Sequence, residues 1–476
     1  GYSETNPTAT QVAINADLNT TLARLFGIKT VSVKATAVAA IQTVGTAYAL
    51  STAADLMIAQ NQYGLGNGYC YYASNAVDPT AVTISSNGAT ITAWGITTPG
   101  DCKNCPTVPP LTGGADSAGD YLSRPNSSFQ PPTILPAAYA TLDALPLPYA
   151  AGQIICPTSG ITYTPALSAA DLDPVTNCPK TFNPNVTVTV TGPPGILIPS
   201  GGDTSNTNDL SPCVPLSKTY CGYYNMNVVV PSGTTLPLSS GDLAAATNNA
   251  TYLFVNSSLT VQSGGTMTVS PGGPYAATGN ATYVFVDSSL TAQNGGTLVC
   301  QFLYNPSSGA GGIEPCAPGP QNTTGTAGAA AGTGQLGVSF VLTGDQVGTL
   351  TIASGATVNL SAPAINSFST ALDGILFYRR GQGSGEGPGS PGVNISDATS
   401  SVILNGGMYF PNSFVFYTGN TNPNYAPTCA ILVAANLTLG FLSSGDNQAN
   451  PSQFSNGSCS SYATPLPEVQ AAQLIQ

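Results

Sequence analysis

The sequence predicts a mainly β protein: a parallel β-helix or similar solenoid over the C-terminal region, a smaller α+β N-terminal domain, and a Pro/Gly-rich connecting wrap between them. Three observations carry this. The segment "SLTVQSGGTMTV" (258–269) returns soon afterwards as "SLTAQNGGTLVC" (289–300) and again as "TLTIASGATVNL" (349–360). Composition favours strands and turns over helices, with 53 Gly, 39 Pro and abundant Thr and Val among 476 residues. Finally, proline-rich text such as "CPTVPPLTGG" and "RPNSSFQPPTILP" is concentrated in one stretch of the chain.

The boundaries follow from these shifts in character: 1–96 as the small α+β domain, 97–224 as the irregular Pro/Gly/Cys-rich segment, 225–476 as the solenoid-like domain. In the first, "TQVAINADLNTTLARLFGIKTVSVKATAVAAI" reads as strand, short amphipathic helix with Leu18, Leu22 and Leu25 on one side, then a strand through Val31 and Val33. Gly27 stands where a helix C-cap glycine belongs. "TAYALSTAADLMIAQN" reads as strand then helix, and "AVTISSNGATITAWGI" as a hairpin turning at Asn87-Gly88. The second region reads as a wrap pinned to a neighbouring surface by its cysteines.

In the third region the rhythm is strand and turn. Leu259 and Val261, Leu290 and Ala292, and Leu350 and Ile352 alternate with hydroxyl residues, as do Met267, Val269, Leu298, Cys300, Val358 and Leu360. One apolar face per strand is what a rung needs to bury its inner side. The pairs Gly264-Gly265 and Gly295-Gly296 fall between strands, where a corner needs free backbone angles. Fourteen of the 21 positions counted from Asn249 and from Asn280 are identical, which marks a duplication. Stacked rungs leave edges only at their ends, and the step from Asn249 to Asn280 suits three short strands. A β-sandwich of hairpins is the alternative.

Charge excludes several functions. Nine Lys and Arg stand against 21 Asp and Glu, for a net charge of -12, and histidine is absent. No basic surface is available for phosphate, so nucleic acid is not an expected partner. Ser-His-Asp and Cys-His catalysis and the common histidine-containing zinc sites are excluded. No catalytic, metal or cofactor residues are assigned, and the chain is not expected to be an enzyme. Asp373 near Arg379 is the one local candidate for a carbohydrate-active site of the β-helix type. Asp171 with Asp173, and Asp203 with Asp209, resemble calcium ligands but match no calcium-loop pattern and read better as turn residues. Arg379, Arg380 and Glu386 read as a surface charge patch, and Tyr378, Tyr409 and Tyr417 as packing.

The eleven cysteines, Cys70, Cys102, Cys105, Cys156, Cys178, Cys213, Cys221, Cys300, Cys316, Cys429 and Cys459, point to disulfides in an oxidising compartment. Cys213 with Cys221, Cys300 with Cys316, and Cys429 with Cys459 are plausible local pairs, while spacing alone leaves connectivity open. No signal peptide or membrane span is read from the sequence, so the chain is expected to be the mature product of an exported precursor.

The segments "DGILFYRR" (373–380), "LNGGMYFPNSFVFYTGN" (404–420) and "CAILVAANLTLG" (429–440) resemble the C-terminal part of the TadG-like, Flp-pilus-assembly-associated proteins of bacteria. "LARLFGIKTVSVKATAVA" and "LDALPLP" are similar to that family's N-terminal and proline-rich passages. The family's membrane helix is missing here. A family cysteine ahead of an "ALD"-like segment is replaced in "AYALSTAADLM", which leaves Cys70 to pair with Cys102 or Cys105. The resemblance implies a membrane-anchored precursor and a structural role at the cell surface. Copies of the chain itself are the expected partners, in an extracellular filament. Pilus components or surface glycans are further candidates, the latter in an alternative adhesin role. The segment "GYSETNPTATQVAINA" is expected to add as a strand to a neighbour's edge.

Overall fold

The structure, a computed structural model, describes residues 9–19, 30–51, 56–59, 71–74, 76, 81–84, 95–97, 102–103, 133–134, 137–142, 161–172, 174, 187–190, 221–224, 227–239, 247–270, 278–304, 312–316, 337–366, 368–387, 389–396, 401–418, 429–440 and 459–474. They form a parallel β-solenoid built from three ladders of strands. The first runs through Thr247–Val255, Thr278–Val286, Gly337–Thr343 and Ile375–Arg379. The second runs through Asn227–Val230, Leu259–Val261, Leu290–Ala292, Leu350–Ile352 and Val393–Ser396. The third stacks Thr235–Ser239, Thr266–Ser270, Thr297–Tyr304 and Thr357–Ser361.

The sequence repeat is therefore the rung. Val228, Leu259 and Leu290 are successive partners at equal steps along the chain, and the stack continues through Leu350 and Val393. The expected core residues Leu259, Val261, Leu290, Leu350, Ile352 and Val358 are all at most 1% exposed. Each such side chain removed from water contributes about 1.5–3 kcal/mol. A second inner row holds Val261, Ala292, Ile352 and Ile395 in register.

Two kinds of corner make the rungs turn. Between the first and second ladders, Asn256 (φ 47°) and Asp287 (φ 49°) are left-handed, the residue types that tolerate this region best, and Gly344 follows in register. Ser257 N–H donates to Ser288 Oγ at 2.7 Å there, so the repeated serine satisfies a buried backbone group. Between the second and third ladders, Gly264, Gly295 and Gly355 have φ of 74°, 75° and 84°. Their backbones stack directly, Gly264 N–H on Gly295 O at 2.8 Å and Gly295 N–H on Gly355 O at 3.0 Å.

The solenoid then narrows. The strand Val402–Thr418 serves all three ladders in one pass: Val402 pairs with Val358, Tyr409 with Tyr378, and Val415 with Val393. The next strand, Ala430–Gly440, pairs with its second and third parts only, so the turn from Val415 to Leu437 is shorter than the one from Leu259 to Leu290.

The first hundred residues differ most from expectation. Their strands belong to the same sheet: Leu50 pairs with Val433, Leu56–Ala59 with Leu437–Gly440, and Tyr71–Ser74, Val82–Ile84, Gly95–Thr97 and Cys102–Lys103 continue the two remaining ladders. Leu56–Ala59 is a strand where a helix was expected, because Leu437 and Leu439 offer it a parallel edge. The hairpin expected at Asn87-Gly88 lies outside the described residues; of the segment around it, Val82–Ile84 and Gly95–Thr97 each pair in parallel with other rungs. Leu18 is in the strand Ala9–Asn19 rather than a helix, while Leu22, Leu25 and Gly27 lie outside the described residues.

An antiparallel layer flanks the stack, with Thr30–Ser51 pairing with Ala9–Asn19 and Glu468–Leu474, and the latter with Thr133–Ile134. Within the connecting wrap, the short helix Ala137–Leu142 is docked by buried Tyr139 and Leu142. Tyr139 Oη donates to Pro465 O at 2.8 Å. Burial, with Tyr409 beside it, pushes the Tyr139 phenol far above its ordinary pKa and keeps it a donor. At the far end, Ile161–Thr164 runs antiparallel to Thr187–Val190, which opens the second ladder by pairing with Asn227–Val229.

Two disulfides brace the fold. Cys300–Cys316 ties the extension Gly312–Pro315 back to the third ladder, and Cys429–Cys459 ties the start of Ala430–Gly440 to the C-terminal segment. Both were plausible pairs on spacing. The pairing of Cys213 with Cys221, and of Cys70 with Cys102 or Cys105, lies outside the described residues, as do the side chains of Cys156 and Cys178. Peptide mapping without reduction should recover the 300–316 and 429–459 cross-links; finding these four thiols free to alkylate would contradict the bracing.

Candidate functional site

Arg379 is not part of a surface patch. It ends the strand Ile375–Arg379, in the register that Phe285 and Leu342 occupy in the preceding rungs, and is 0% exposed. Its guanidinium meets Glu386 Oε1 at 2.8 Å and donates through Nη1 to Glu386 Oε2 at 3.1 Å. It also donates to Ser413 Oγ at 2.6 Å, Gly348 O at 2.8 Å, Val347 O at 3.3 Å and Gly381 O at 3.4 Å. Burial lowers its pKa from the ordinary arginine value and the Glu386 charge opposes that shift. Glu386 Oε2 accepts from Gly383 N–H at 2.5 Å, so the pair folds the glycine-rich connection 381–392 over itself. Gly392 is required there because a Cβ would overlap the Glu386 carboxylate. Arg380, one residue on, is exposed. The arrangement is a latch with its donors committed to protein acceptors.

Asp373 does not join it. The carboxylate accepts from Asn366 N–H at 2.6 Å, and desolvation raises its pKa while that hydrogen bond opposes the rise. Asn366 in turn bonds Thr282 and Ser339, closing a buried network over the outside of the first ladder. Asp373 and Arg379 stand at opposite ends of one strand, up to about 20 Å apart at strand rise, with separate partners. The carbohydrate-active pairing suggested by their closeness in sequence is therefore not assembled. Asp171 Oδ2 accepts from Ser168 N–H and Oγ in an exposed turn, while Asp173, Asp203 and Asp209 lie outside the described residues. Among the described residues no group of three His, Cys, Asp or Glu side chains could hold a metal ion.

The tyrosines pack. Tyr378 stacks on Tyr409 at 5.8 Å, Tyr139 meets Tyr409 at 4.9 Å, and all three with Tyr417 are buried. None offers a ring face to a ligand.

Two surfaces remain, and both were only partly visible in the sequence. The first is a two-stranded ribbon, Ala9–Asn19 against Thr30–Ala40, registered from Ala9↔Ala40 to Asn19↔Thr30. Residues 32–36 are exposed without interruption, as are Ala13, Asn15 and Ala16. Successive side chains of a strand point to opposite faces, so both faces of the ribbon are open; Val33 is 45% exposed. The segment expected to be a free strand is thus already paired over residues 9–16, and residues 1–8 lie outside the described residues.

The second surface is the outside of the second and third ladders at the glycine corner. Thr260, Thr291 and Thr351 are in register on one side of it. Thr235, Thr266, Thr297 and Thr357 are in register on the other. Gln262 and Gln293 lie between, each sending its backbone N–H to the rung before. A neighbouring row behaves differently: Ser258 N–H donates to Asn227 Oδ1, Ser289 N–H to Ser258 Oγ and Thr349 N–H to Ser289 Oγ, so its oxygens are used to bind one rung to the next.

The two disulfides belong to an oxidising environment. Among the described residues no helix is long and apolar enough to cross a membrane, which leaves membrane crossing by strands unaddressed. In comparison with known proteins, no family model, no curated protein and no solved structure matches this chain.

Proposed function

We propose that this chain is a structural, cell-surface protein of the TadG-like kind that associates with copies of itself into an extracellular assembly. The ribbon carries the reading. A two-stranded β element exposed on both faces is marginal in water by itself, and among the described residues no third strand pairs with Ala9–Asn19, so that strand stands as an edge. Of the ribbon's described exposed side chains only Lys34 is charged, and the chain's 30 charged residues among 476 leave little edge protection elsewhere. A second copy, laying its own ribbon alongside, satisfies both the faces and the edges. The disulfide-braced solenoid supplies the rigid body from which the ribbon extends.

Val33 and Ala35 lie on one ribbon face, and neither packs on the core. The double substitution V33E/A35E should therefore leave the far-ultraviolet spectrum and melting curve unchanged. In light scattering across a concentration series, the parent chain should grow beyond monomer mass and V33E/A35E should remain monomeric at the same concentrations. A parent chain that stays monomeric, or a variant that assembles equally well, would overturn this function.

A further inference from the structure

We infer that the glycine corner is a binding face for a neutral, extended polysaccharide lying along the solenoid axis. This takes up the glycan-binding alternative but does not depend on the ribbon or on self-association.

The argument begins with which hydroxyls are spent. In one row the side-chain oxygens of Asn227, Ser258 and Ser289 each accept a backbone N–H of the next rung, and the Thr349 hydroxyl donates to Ser289 Oγ. Ser257 and Ser288 are likewise committed at the opposite corner. Among the described residues the hydroxyls of Thr260, Thr291, Thr351, Thr266, Thr297 and Thr357 make no hydrogen bond, though each is partly or fully exposed. Preference for β structure explains threonine at any one of these positions. It does not explain two aligned rows flanking the amide side chains of Gln262 and Gln293.

The backbone sets the spacing. Rungs repeat at about 4.8 Å, so each row offers one hydroxyl per rung in a straight line. The corner is held by glycine backbones bonded rung to rung, and a Cβ at Gly265 or Gly296 would press on the carbonyl oxygens of Val230 or Val261. The rows are thus fixed before any ligand arrives, and little ordering entropy is lost on binding.

The chemistry selects the ligand. None of the row residues is charged, which disfavours acidic or basic polymers. Threonine presents a methyl beside its hydroxyl, matching the CH and OH groups of a sugar ring, and Gln262 and Gln293 add donors and acceptors that suit ring hydroxyls. A linear glycan whose residues recur at close to the strand spacing places one sugar on each rung. The amides of Gln262 and Gln293 between the threonine rows break the uniform surface that an ice lattice would require.

The test is affinity electrophoresis of the full chain in gels containing hydroxyethyl cellulose, with a neutral xylan and a neutral mannan as parallel probes. The parent chain should be retarded by at least one of them. The variant T291V/Q293A/T297V should lose that retardation by at least tenfold in apparent affinity, while its melting temperature and its mass by light scattering stay those of the parent. No retardation of the parent by any probe overturns the inference, as does undiminished retardation of the variant. So does a variant that changes only oligomeric mass, which would assign the face to a second copy. Shaping of ice crystals by the parent but not the variant, without polysaccharide retardation, would equally overturn it.

Discussion

Glu386→Ala should destabilise the fold by about 3–5 kcal/mol, because it leaves a buried guanidinium without its counter-charge. Arg379 is 0% exposed and its remaining acceptors, Ser413 Oγ and the carbonyls of Val347, Gly348 and Gly381, are neutral. Such a charge, once unpaired, costs far more than the pair contributes. The double variant R379M/E386L should therefore recover most of the loss, since replacing both members of a buried pair by apolar groups is often close to neutral. Chemical denaturation reads the stability, and limited proteolysis reads the connection 381–392 that Glu386 folds through Gly383. A Glu386→Ala chain as stable and as resistant as the parent would show that the latch carries no energy.

Phe340→Ala should cost about 3–5 kcal/mol by loss of transfer energy and the cavity left behind. Phe340 is stacked between Tyr283 at 5.1 Å and Phe377 at 5.2 Å in the inner row of the first ladder. Removing it breaks two ring contacts and leaves a hole that neighbouring rungs, fixed by their own backbone ladders, cannot close. Thr351→Ala, one ladder over and pointing outward, should change stability by less than about 1 kcal/mol. The contrast matters more than either value, because it distinguishes inner from outer positions of the same solenoid. Equal effects of the two substitutions in a denaturant titration would contradict the assignment of faces.

The middle of the solenoid was legible because its signal is local. Asn249 to Val269 and Asn280 to Cys300 keep the same order of inner residue, outer residue and corner glycine, and each aligned pair turned out to be stacked neighbours. The third copy was readable although an insertion lengthens the step from Leu290 to Leu350, since the unit around Gly355 is itself intact. What failed depended on partners remote in sequence. Leu56–Ala59 looks helical in isolation and becomes a strand because Leu437–Gly440, near the other end of the chain, supplies an edge. Arg379 beside Arg380 looks solvated, and nothing nearby announces that Ser413 and two carbonyls from the preceding rung will enclose it. The disulfides were legible in part: the short loops of Cys300–Cys316 and Cys429–Cys459 fit their spacing. The hydroxyl rows were visible as alternation, but the difference between spent and free hydroxyls is a property of the stacked rungs and not of any one of them.

The first hundred residues continue a stack begun by later ones, and this central feature is what leaves the ribbon standing clear of the body. Met57 and Thr438 are direct partners across the join. Parallel neighbours sit at about 4.8 Å, inside the range of Cα separations that a disulfide spans. A chain carrying M57C/T438C, oxidised at low concentration and mapped without reduction, should yield a peptide linking positions 57 and 438 within one molecule. Cysteines at these positions that stay free, or that link only between molecules, would separate the N-terminal strands from the solenoid and remove the ground for the ribbon as an arm.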